Sequence, residues 1–241
     1  AGEKAGIIVP GVPVIYDGND KDAAEVIAAK AKELGSPAYK VVQAGAKVLG
    51  NNKDGIDFSL KDSYYGNASF HIPFIAWYQV MNASLALTTM EVLKDRIPVT
   101  MEQLQAGIAN TRWQGRMETI LPGVIVDGAH NEDGVRRFVE TAERFQKEYP
   151  LTLLFSAVND KDYQDMIHTI CSRIKFRKVV TTEVGGYREV PSAELAEIFC
   201  KEGCKDIGNS DNIEEAFHMA HEAKGEDGML FCVGSLYLVG E

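Results

Sequence analysis

The sequence lacks long apolar runs and an excess of positive charge, and both absences narrow the classes of protein it can belong to. No stretch approaches the roughly 18 consecutive apolar residues of a membrane-spanning helix. Lys plus Arg number 25 against 35 Asp plus Glu, a formal net charge of -10. Because nucleic-acid backbones are bound by an excess of cations, an acidic chain is a poor candidate for a duplex-DNA binder. We therefore expect neither a membrane nor a nucleic-acid partner.

Cysteine is also scarce, with only four residues in 241. Cys200 and Cys204 have a spacing that a metal site can use, but no second pair or nearby histidine completes such a site. Ordinary thiols in a reducing compartment fit this usage better than disulfides or a metal. The first residues do not read as a basic, apolar leader. These features predict a cytoplasmic protein.

Up to about residue 110, short strands are mixed with helices. The periodicity predicts strands over residues 12–16, 56–60 and 68–72, and helices over residues 21–34, 76–93 and 100–110. Asp20 is expected to cap the first of these helices. Thr100, with Gln103 three residues later, has the pattern of a capping box.

From Trp113 onward, strands and helices alternate along the chain. Strands are predicted over residues 124–126, 151–158, 178–182 and 229–233, and helices over residues 133–149, 162–174, 192–202 and 212–224. This alternation is typical of an α/β fold with a doubly wound, mostly parallel sheet. We place a domain boundary here, with residues 1–112 as a piece of a larger domain and residues 113–241 as a complete α/β domain.

The segment from Val124 to Gly134 is the most informative about function. An apolar strand runs directly into Asp127-Gly128-Ala129-His130-Asn131, and a helix follows. Ligands of parallel α/β sheets bind at the loops after the carboxyl ends of strands, so Asp127 and His130 are candidate site residues. The alternative is that Asp127 and Asn131 only cap the following helix.

Three further motifs each allow two interpretations. Arg116, in Trp113-Gln114-Gly115-Arg116-Met117-Glu118, places a guanidinium over a phosphate or is a surface charge beside a turn. Asp160-Lys161-Asp162 follows a strand and is either part of a site or a plain helix cap. Gly234-Ser235-Leu236-Tyr237-Leu238 follows the last strand and is either part of a site or a tight turn before a carboxy-terminal strand.

Two motifs in the first portion are weaker. Glu3-Lys4-Ala5-Gly6-Ile7 has the charged pair of an ordinary helix start. Asn82 lies inside an Ala/Leu-rich helix, where asparagine is a weak helix former. An Asn in that position either contacts a ligand or is hydrogen-bonded to a neighbouring loop.

The order of these motifs resembles the folylpolyglutamate synthase and dihydrofolate synthase family of the Mur ligase superfamily, over residues 1 to 241. The Asp-Gly-Ala-His-Asn segment and the Gly-Ser-Leu-Tyr ending are the most specific parts. The resemblance implies an ATP-dependent ligase of folate metabolism, which forms an acyl phosphate on a folate carboxylate and joins it to the amine of L-glutamate. Folate and L-glutamate are then the small-molecule substrates.

The resemblance also assigns roles residue by residue. Asn82 matches an asparagine that contacts the ATP adenine, and Arg116 an arginine that reaches the ATP phosphates. Asp127 and His130 match residues at the nucleotide and glutamate end of the site, and Ser235 a serine near the glutamate. Lys4 matches a lysine that is carbamylated in these ligases and helps to hold Mg²⁺, for which an anionic oxygen ligand is suited.

The chain departs from the family pattern in one respect. The glycine-rich loop that cradles the ATP phosphates in family members is absent, and Gly45-Ala46-Lys47 does not have its spacing. The upstream His and Glu of the metal site are missing as well. We therefore expect a fragment that lacks its amino-terminal part and is inactive alone. Family members are usually monomers, and we expect the same here.

Three other functions stay open on the sequence alone. The first is a sibling Mur ligase that adds an amino acid to a cell-wall precursor. The second is a non-catalytic α/β module that binds a nucleotide or an amino acid. The third is a doubly wound domain without any ligand, in which Arg116, Asp127 and His130 are separately solvated or serve as helix caps.

Overall fold

The chain forms two compact units in a computed structural model that describes residues 2–61, 64–186 and 188–240. The first unit spans Ala1–Thr111 and the second Arg112–Glu241. The last residue of the carboxy-terminal motif, Glu241, lies outside the described residues. Within those ranges, no helix is long and apolar enough to cross a membrane.

The first unit contains five strands and four helices among its described residues. They are α1 (Gly2–Ala5), β1 (Val14–Asp17), α2 (Lys21–Glu33), β2 (Ala38–Val41), β3 (Ala46–Asn52), β4 (Gly55–Leu60), β5 (Ser69–Ile72), α3 (Tyr78–Val92) and α4 (Met101–Ala109). β1 pairs in parallel with β2, while β3, β4 and β5 form a separate antiparallel sheet. Phe58 of β4 and Phe70 of β5 are fully buried in the core of that sheet.

Side-chain caps fix the starts of two helices in this unit. Asp20 accepts a hydrogen bond from the Ala23 backbone N–H at 3.0 Å, at the start of α2. Thr100 and Gln103 exchange both bonds of a capping box at the start of α4. Each bond satisfies an N–H that the helix itself leaves without a partner. The two predicted caps are confirmed.

The second unit alternates strands and helices. They are β6 (Glu118–Leu121), β7 (Val124–Asp127), α5 (Glu132–Phe145), β8 (Leu151–Phe155), α6 (Tyr163–Arg173), β9 (Lys178–Thr182), α7 (Ser192–Lys201), β10 (Ile207–Ser210), α8 (Ile213–Lys224), β11 (Met229–Val233) and α9 (Leu236–Gly240). The alternative of a tight turn before a carboxy-terminal strand is wrong, because the residues after Ser235 form helix α9. Strands β6 and β10 were not predicted.

One six-stranded sheet in the order β10-β9-β8-β11-β7-β6 organises the second unit. All neighbours are parallel except the edge strand β6, which pairs antiparallel with β7. Helix α8 packs on one face, and on the other α5 contacts α6 and α6 contacts α7. Because both faces are covered, β8 and β11 are buried along their whole length, and Thr152 of β8 is their one polar residue. The predicted doubly wound α/β fold is confirmed.

Candidate functional site

The carboxyl ends of β7 and β11 lie side by side, and this neighbourhood creates the candidate site. In the parallel register, Val233 at the end of β11 is the partner of Asp127 at the end of β7. The Asp127–His130 loop and the Gly234–Ser235 turn therefore leave the sheet at the same edge, where ligands of parallel α/β sheets bind.

Asp127 is a buried carboxylate that holds two loops together. Its side chain accepts one hydrogen bond from the Met117 N–H and one from the Ala129 N–H, both at 2.9 Å. Burial raises the pKa of Asp127 to about 6, against the opposing effect of these two bonds and of the nearby Arg116 and His130 charges. Asp127 thus joins the turn before β6 to the loop after β7, and it does not cap α5.

Arg116 lies on a tight turn against the same loop. Its guanidinium stacks over the Trp113 ring, 5.7 Å from the ring centroid. Gly115 accepts a hydrogen bond from the Gly128 N–H at 2.7 Å, which fastens the turn to the β7 loop. Gly115 and Met117 both have positive φ, 66° and 49°, so the chain reverses sharply around Arg116. The turn directs a cation towards the end of β7.

His130 is half-buried next to Asp127. Its Nδ1 lies 2.7 Å from the Gly128 carbonyl oxygen. Because a carbonyl can only accept, Nδ1 carries the proton of this bond, and Nε2 has a free lone pair whenever the ring is neutral. The following Asn131 accepts from the Gly134 N–H at 2.9 Å and caps α5. The capping interpretation therefore holds for Asn131 and not for Asp127.

Ser235 follows a glycine that no other residue can easily replace. Gly234 has φ of 111°, and a Cβ built there would lie 2.1 Å from the Ser156 carbonyl oxygen. Ser235 itself is 1% exposed, and its hydroxyl oxygen accepts from the Tyr237 N–H at 3.1 Å. The hydroxyl thus serves the start of α9, and its own proton is available to an acceptor.

Lys4 and Asn82 both lie in the first unit and are held by different helices. Lys4 is exposed on α1, which packs against α2. Asn82 is exposed on α3, and its amide donates to the Gln79 side-chain oxygen at 2.8 Å. The bond from Asn82 therefore stays on its own helix and does not reach a neighbouring loop. Gln79 is buried, and its Nε2 has no hydrogen-bond partner.

Sequence reasoning named Asp160 and Tyr237 in separate motifs but overlooked Arg188, which contacts both of them at the same edge of the sheet. The Arg188 guanidinium lies 3.3 Å from the Asp160 carboxylate and stacks over the Tyr237 ring. These three residues come from the segments that follow β9, β8 and β11. The available signal was a lone Arg after Gly185-Gly186 in a loop that follows a strand. In the neighbouring motif, Asp162 caps α6, as the cap interpretation predicted.

No cluster of three or more His, Cys, Asp or Glu residues suited to a metal ion occurs within residues 2–61, 64–186 and 188–240. Four of the six predicted site residues lie at one edge of the sheet, namely Arg116, Asp127, His130 and Ser235. Arg116 is cationic and His130 can become so. Both lie near the Asp127 carboxylate, whose charged form is disfavoured by burial. This arrangement is suited to binding an anionic group in front of β7.

Comparison with known proteins agrees with this architecture. Residues 115–236 match the family model "Mur ligase, glutamate ligase domain". The dihydrofolate synthase/folylpolyglutamate synthase of Bacillus subtilis is 29% identical over 252 residues, which is 100% of this chain and 56% of that protein. The folylpolyglutamate synthase of Lacticaseibacillus casei is 31% identical over 174 residues, 69% of this chain and 40% of that protein.

Solved structures share the fold. The crystal structure of folylpolyglutamate synthase from Thermotoga maritima has a TM-score of 0.80 at 23% identity, covering 99% of this chain and 55% of that one. The Mycobacterium tuberculosis folylpolyglutamate synthase complexed with ADP and AMPPCP has a TM-score of 0.75 at 23% identity, covering 99% and 57%. The chain spans about half the length of the curated relatives it matches. It belongs to the Mur ligase family, and its curated relatives are folylpolyglutamate and dihydrofolate synthases.

Proposed function

We propose that this chain is the carboxy-terminal part of an ATP-dependent ligase that adds L-glutamate to the γ-carboxyl group of folates through an acyl phosphate. The observation that carries the proposal is the gathering of Arg116, Asp127 and His130 at the carboxyl end of β7. A domain without a ligand would not require these three groups at one edge. The names of the curated relatives supply the substrate class.

Arg116 is proposed to bind the phosphate groups of ATP. Its guanidinium is already held against Trp113, so little side-chain freedom is lost when its forked donors meet phosphate oxygens. Asp127 fixes the turn that carries Arg116, since it accepts the Met117 N–H next in the chain. Asp127 therefore positions the cation and, through Ala129, the loop that carries His130.

His130 and Ser235 are proposed to lie at the glutamate end of the site. His130 Nε2 keeps a lone pair and can accept a proton or a hydrogen bond from the incoming amine. Ser235 has a hydroxyl proton available for a carboxylate oxygen. The amine must be held close to the acyl carbon for amide formation, and this part of the site is proposed to orient it.

The first unit is proposed to be the end of the ATP-binding domain, with the domains at residues 1–112 and 113–241. Lys4 and Asn82 would then contribute to that domain as a carbamate and as an adenine contact. A carbamate supplies at most two oxygens, whereas Mg²⁺ requires about six ligands. The described residues hold no further cluster of metal ligands, so a Mg²⁺ site would need oxygens from elsewhere. We also propose that this chain is inactive alone.

The test is ATP-dependent incorporation of labelled glutamate into tetrahydrofolate by the gene product with its natural upstream sequence. Arg116→Ala and His130→Ala are each expected to lower kcat/KM by about 100-fold or more, because each removes a group that meets charge in the reaction. Arg136→Ala is the matched control, since Arg136 is an exposed arginine of α5 paired with Asp133. It is expected to leave the rate unchanged.

Two results would contradict the proposal. No incorporation into any folate or pteroate by the full gene product would remove the folate assignment. Incorporation into a muramyl precursor instead would assign the chain to a sibling ligase of the same family. Glutamate-dependent ATP turnover by the 241-residue chain alone would contradict its proposed inactivity.

A further inference from the structure

Two cysteines that are distant in the sequence touch each other in the second unit. The sulfur atoms of Cys171 and Cys204 are 3.7 Å apart. Cys171 lies in the last turn of α6, and Cys204 lies in the short connection between α7 and β10. The packing of α6 against α7 brings them together. The pair was not apparent from the sequence, where Cys204 is closer to Cys200.

Both thiols are partly exposed, and one of them lies in a short turn between two elements. Cys171 and Cys204 are each partly exposed, whereas Cys232 is buried in β11 and burial raises its pKa to about 12. Cys204 follows Gly203, which has φ of 92° in the turn that ends α7. A disulfide needs the sulfurs to approach by about 1.7 Å more, to roughly 2.05 Å. A shift of this short connection is enough.

The contact also gives the two thiols different reactivity. Either thiol can donate to the sulfur of the other, and this shared contact holds the pKa of Cys204 below and the pKa of Cys171 above the usual thiol value. The nearby Glu202 carboxylate raises the pKa of both thiols, and His168 lies 3.0 Å from that carboxylate. Cys204 is therefore the thiol that loses its proton first, and the thiolate is the nucleophile in disulfide exchange.

We propose that Cys171 and Cys204 form a site of reversible oxidation that reacts with low-molecular-weight disulfides to give an intramolecular disulfide bond. The Cys204 thiolate attacks one sulfur of the small disulfide, forms a mixed disulfide and releases the first small thiolate. Cys171 then loses its proton and attacks the Cys204 sulfur, and the second small thiol leaves. The two cysteines are oxidised by two electrons, and the small disulfide is reduced to two thiols.

The position of the pair sets what the bond would do. Helices α6 and α7 run back from the carboxyl edge of the sheet, so their last turns lie at the opposite edge from Asp127 and Ser235. The bond would tie α6 to the α7–β10 connection and close a loop from residue 171 to residue 204. Closing that loop restricts the unfolded chain and stabilises the second unit without touching the candidate site.

The experiment exposes the 241-residue chain to oxidised glutathione. Its base protein is the Cys200→Ser variant, so that the exposed Cys200 neither reacts nor competes for Cys204. We expect two of the three thiols to disappear without any added glutathione mass, and proteolysis to yield one peptide pair joined through Cys171 and Cys204. Dithiothreitol should restore both thiols. The melting temperature of the oxidised chain should rise by roughly 5–10 °C.

A matched variant tests whether Cys171 displaces the small thiol from Cys204 or whether Cys204 reacts only because it is exposed. With Cys171→Ser added to the base protein, Cys204 should accumulate as the glutathione mixed disulfide, and the melting temperature should not rise. The wild-type chain should give the same Cys171–Cys204 peptide pair. A Cys200–Cys204 pair in the wild-type chain, or three intact thiols in the oxidised base protein, would overturn the proposal.

Discussion

The strands of the two units are buried in different ways. The second unit has one six-stranded sheet with helices on both faces, and every residue of β8 and β11 is buried. The first unit has two small sheets, one of them a parallel pair of four-residue strands. Parallel strands are normally buried on both faces within larger sheets. Within the residues that the structure describes, β1 and β2 pair only with each other, whereas all strands of the second unit share one covered sheet.

Exposed apolar side chains occur in both units, including Trp113 and Leu236 in the second, but the two most exposed of those described lie near the start of the first. Near the start of the first unit, Ile7 is 80% exposed, Val9 56% and Val12 50%. The antiparallel sheet of that unit does have its own core, around Phe58 and Phe70. Stability in the first unit thus rests on one part of it. We expect the second unit to fold alone and the first to be the less stable of the two in isolation.

The largest expected effect comes from separating the units. Residues 112–241 expressed alone should unfold in one cooperative transition, because their core is complete. Residues 1–111 alone should give a broad, weak transition. Near-ultraviolet circular dichroism during urea titration distinguishes the two outcomes. An equally sharp transition in residues 1–111 would break the comparison.

A smaller but still large effect is expected at Gly234. Gly234→Ala places a Cβ 2.1 Å from the Ser156 carbonyl at a φ of 111°, so backbone must move. The free energy of unfolding of the second unit should fall by about 3 kcal/mol. Gly107→Ala in α4 is the control in the first unit, because nothing lies within 4 Å of its Cβ. Helix propensity predicts a gain of about 0.5–1 kcal/mol there, and an equal loss at both positions would contradict the assignment.

The pH dependence of stability should also differ between the units, because of Asp127. Burial raises the pKa of Asp127 to about 6 in the folded chain, from 3.8 for an ordinary aspartate, so the folded state binds the proton more tightly. Stability from this group is therefore complete below about pH 4 and is lost as the pH rises through 6, by up to about 3 kcal/mol. Urea midpoints at pH 5 and 7.5 measure the upper part of this loss, about 1.4 kcal/mol. Asp127→Asn should flatten the profile, and an unchanged slope would exclude Asp127 as its source.

The smallest effects are expected from helix caps, one in each unit. Thr100→Ala removes the capping box of α4, and Asn131→Ala removes the cap of α5. Each should cost about 1 kcal/mol. In a thermal scan of the whole chain, Thr100→Ala should move the transition of the first unit and Asn131→Ala that of the second. A common shift of one transition by both variants would mean that the units unfold together.

The structural features that the sequence predicted correctly depend on residues close together in the chain. Asp20, Thr100 and Asn131 act within three residues of themselves, so their caps can be found from spacing alone. Strands β6 and β10 were missed because both are short and mostly not buried, and neither shows an apolar run or alternation. The helix after Ser235 was missed because its five residues are too few for helical periodicity.

In the candidate site, too, the local features were predicted from the sequence and the contacts between distant segments were not. Asp127 and His130 were found because they share one loop at the end of a strand. The link between Met117 and Asp127 spans β6, which the sequence did not predict. Arg188, Asp160 and Tyr237 meet only because three separate strands end at one edge. Such contacts follow from strand order, and a single sequence does not specify the order β8-β11-β7.

The place of β11 between β7 and β8 has a consequence for biosynthesis. During translation, β7 and β8 leave the ribosome long before the strand that joins them, and they are not paired with each other. The sheet cannot form completely until Met229–Val233 has emerged. Until then, β7 and β8 each have one edge without a paired strand in the nascent chain. Contacts between distant parts of a chain form slowly, and open strand edges promote aggregation. A chaperone that shields these edges should therefore raise the yield of folded protein.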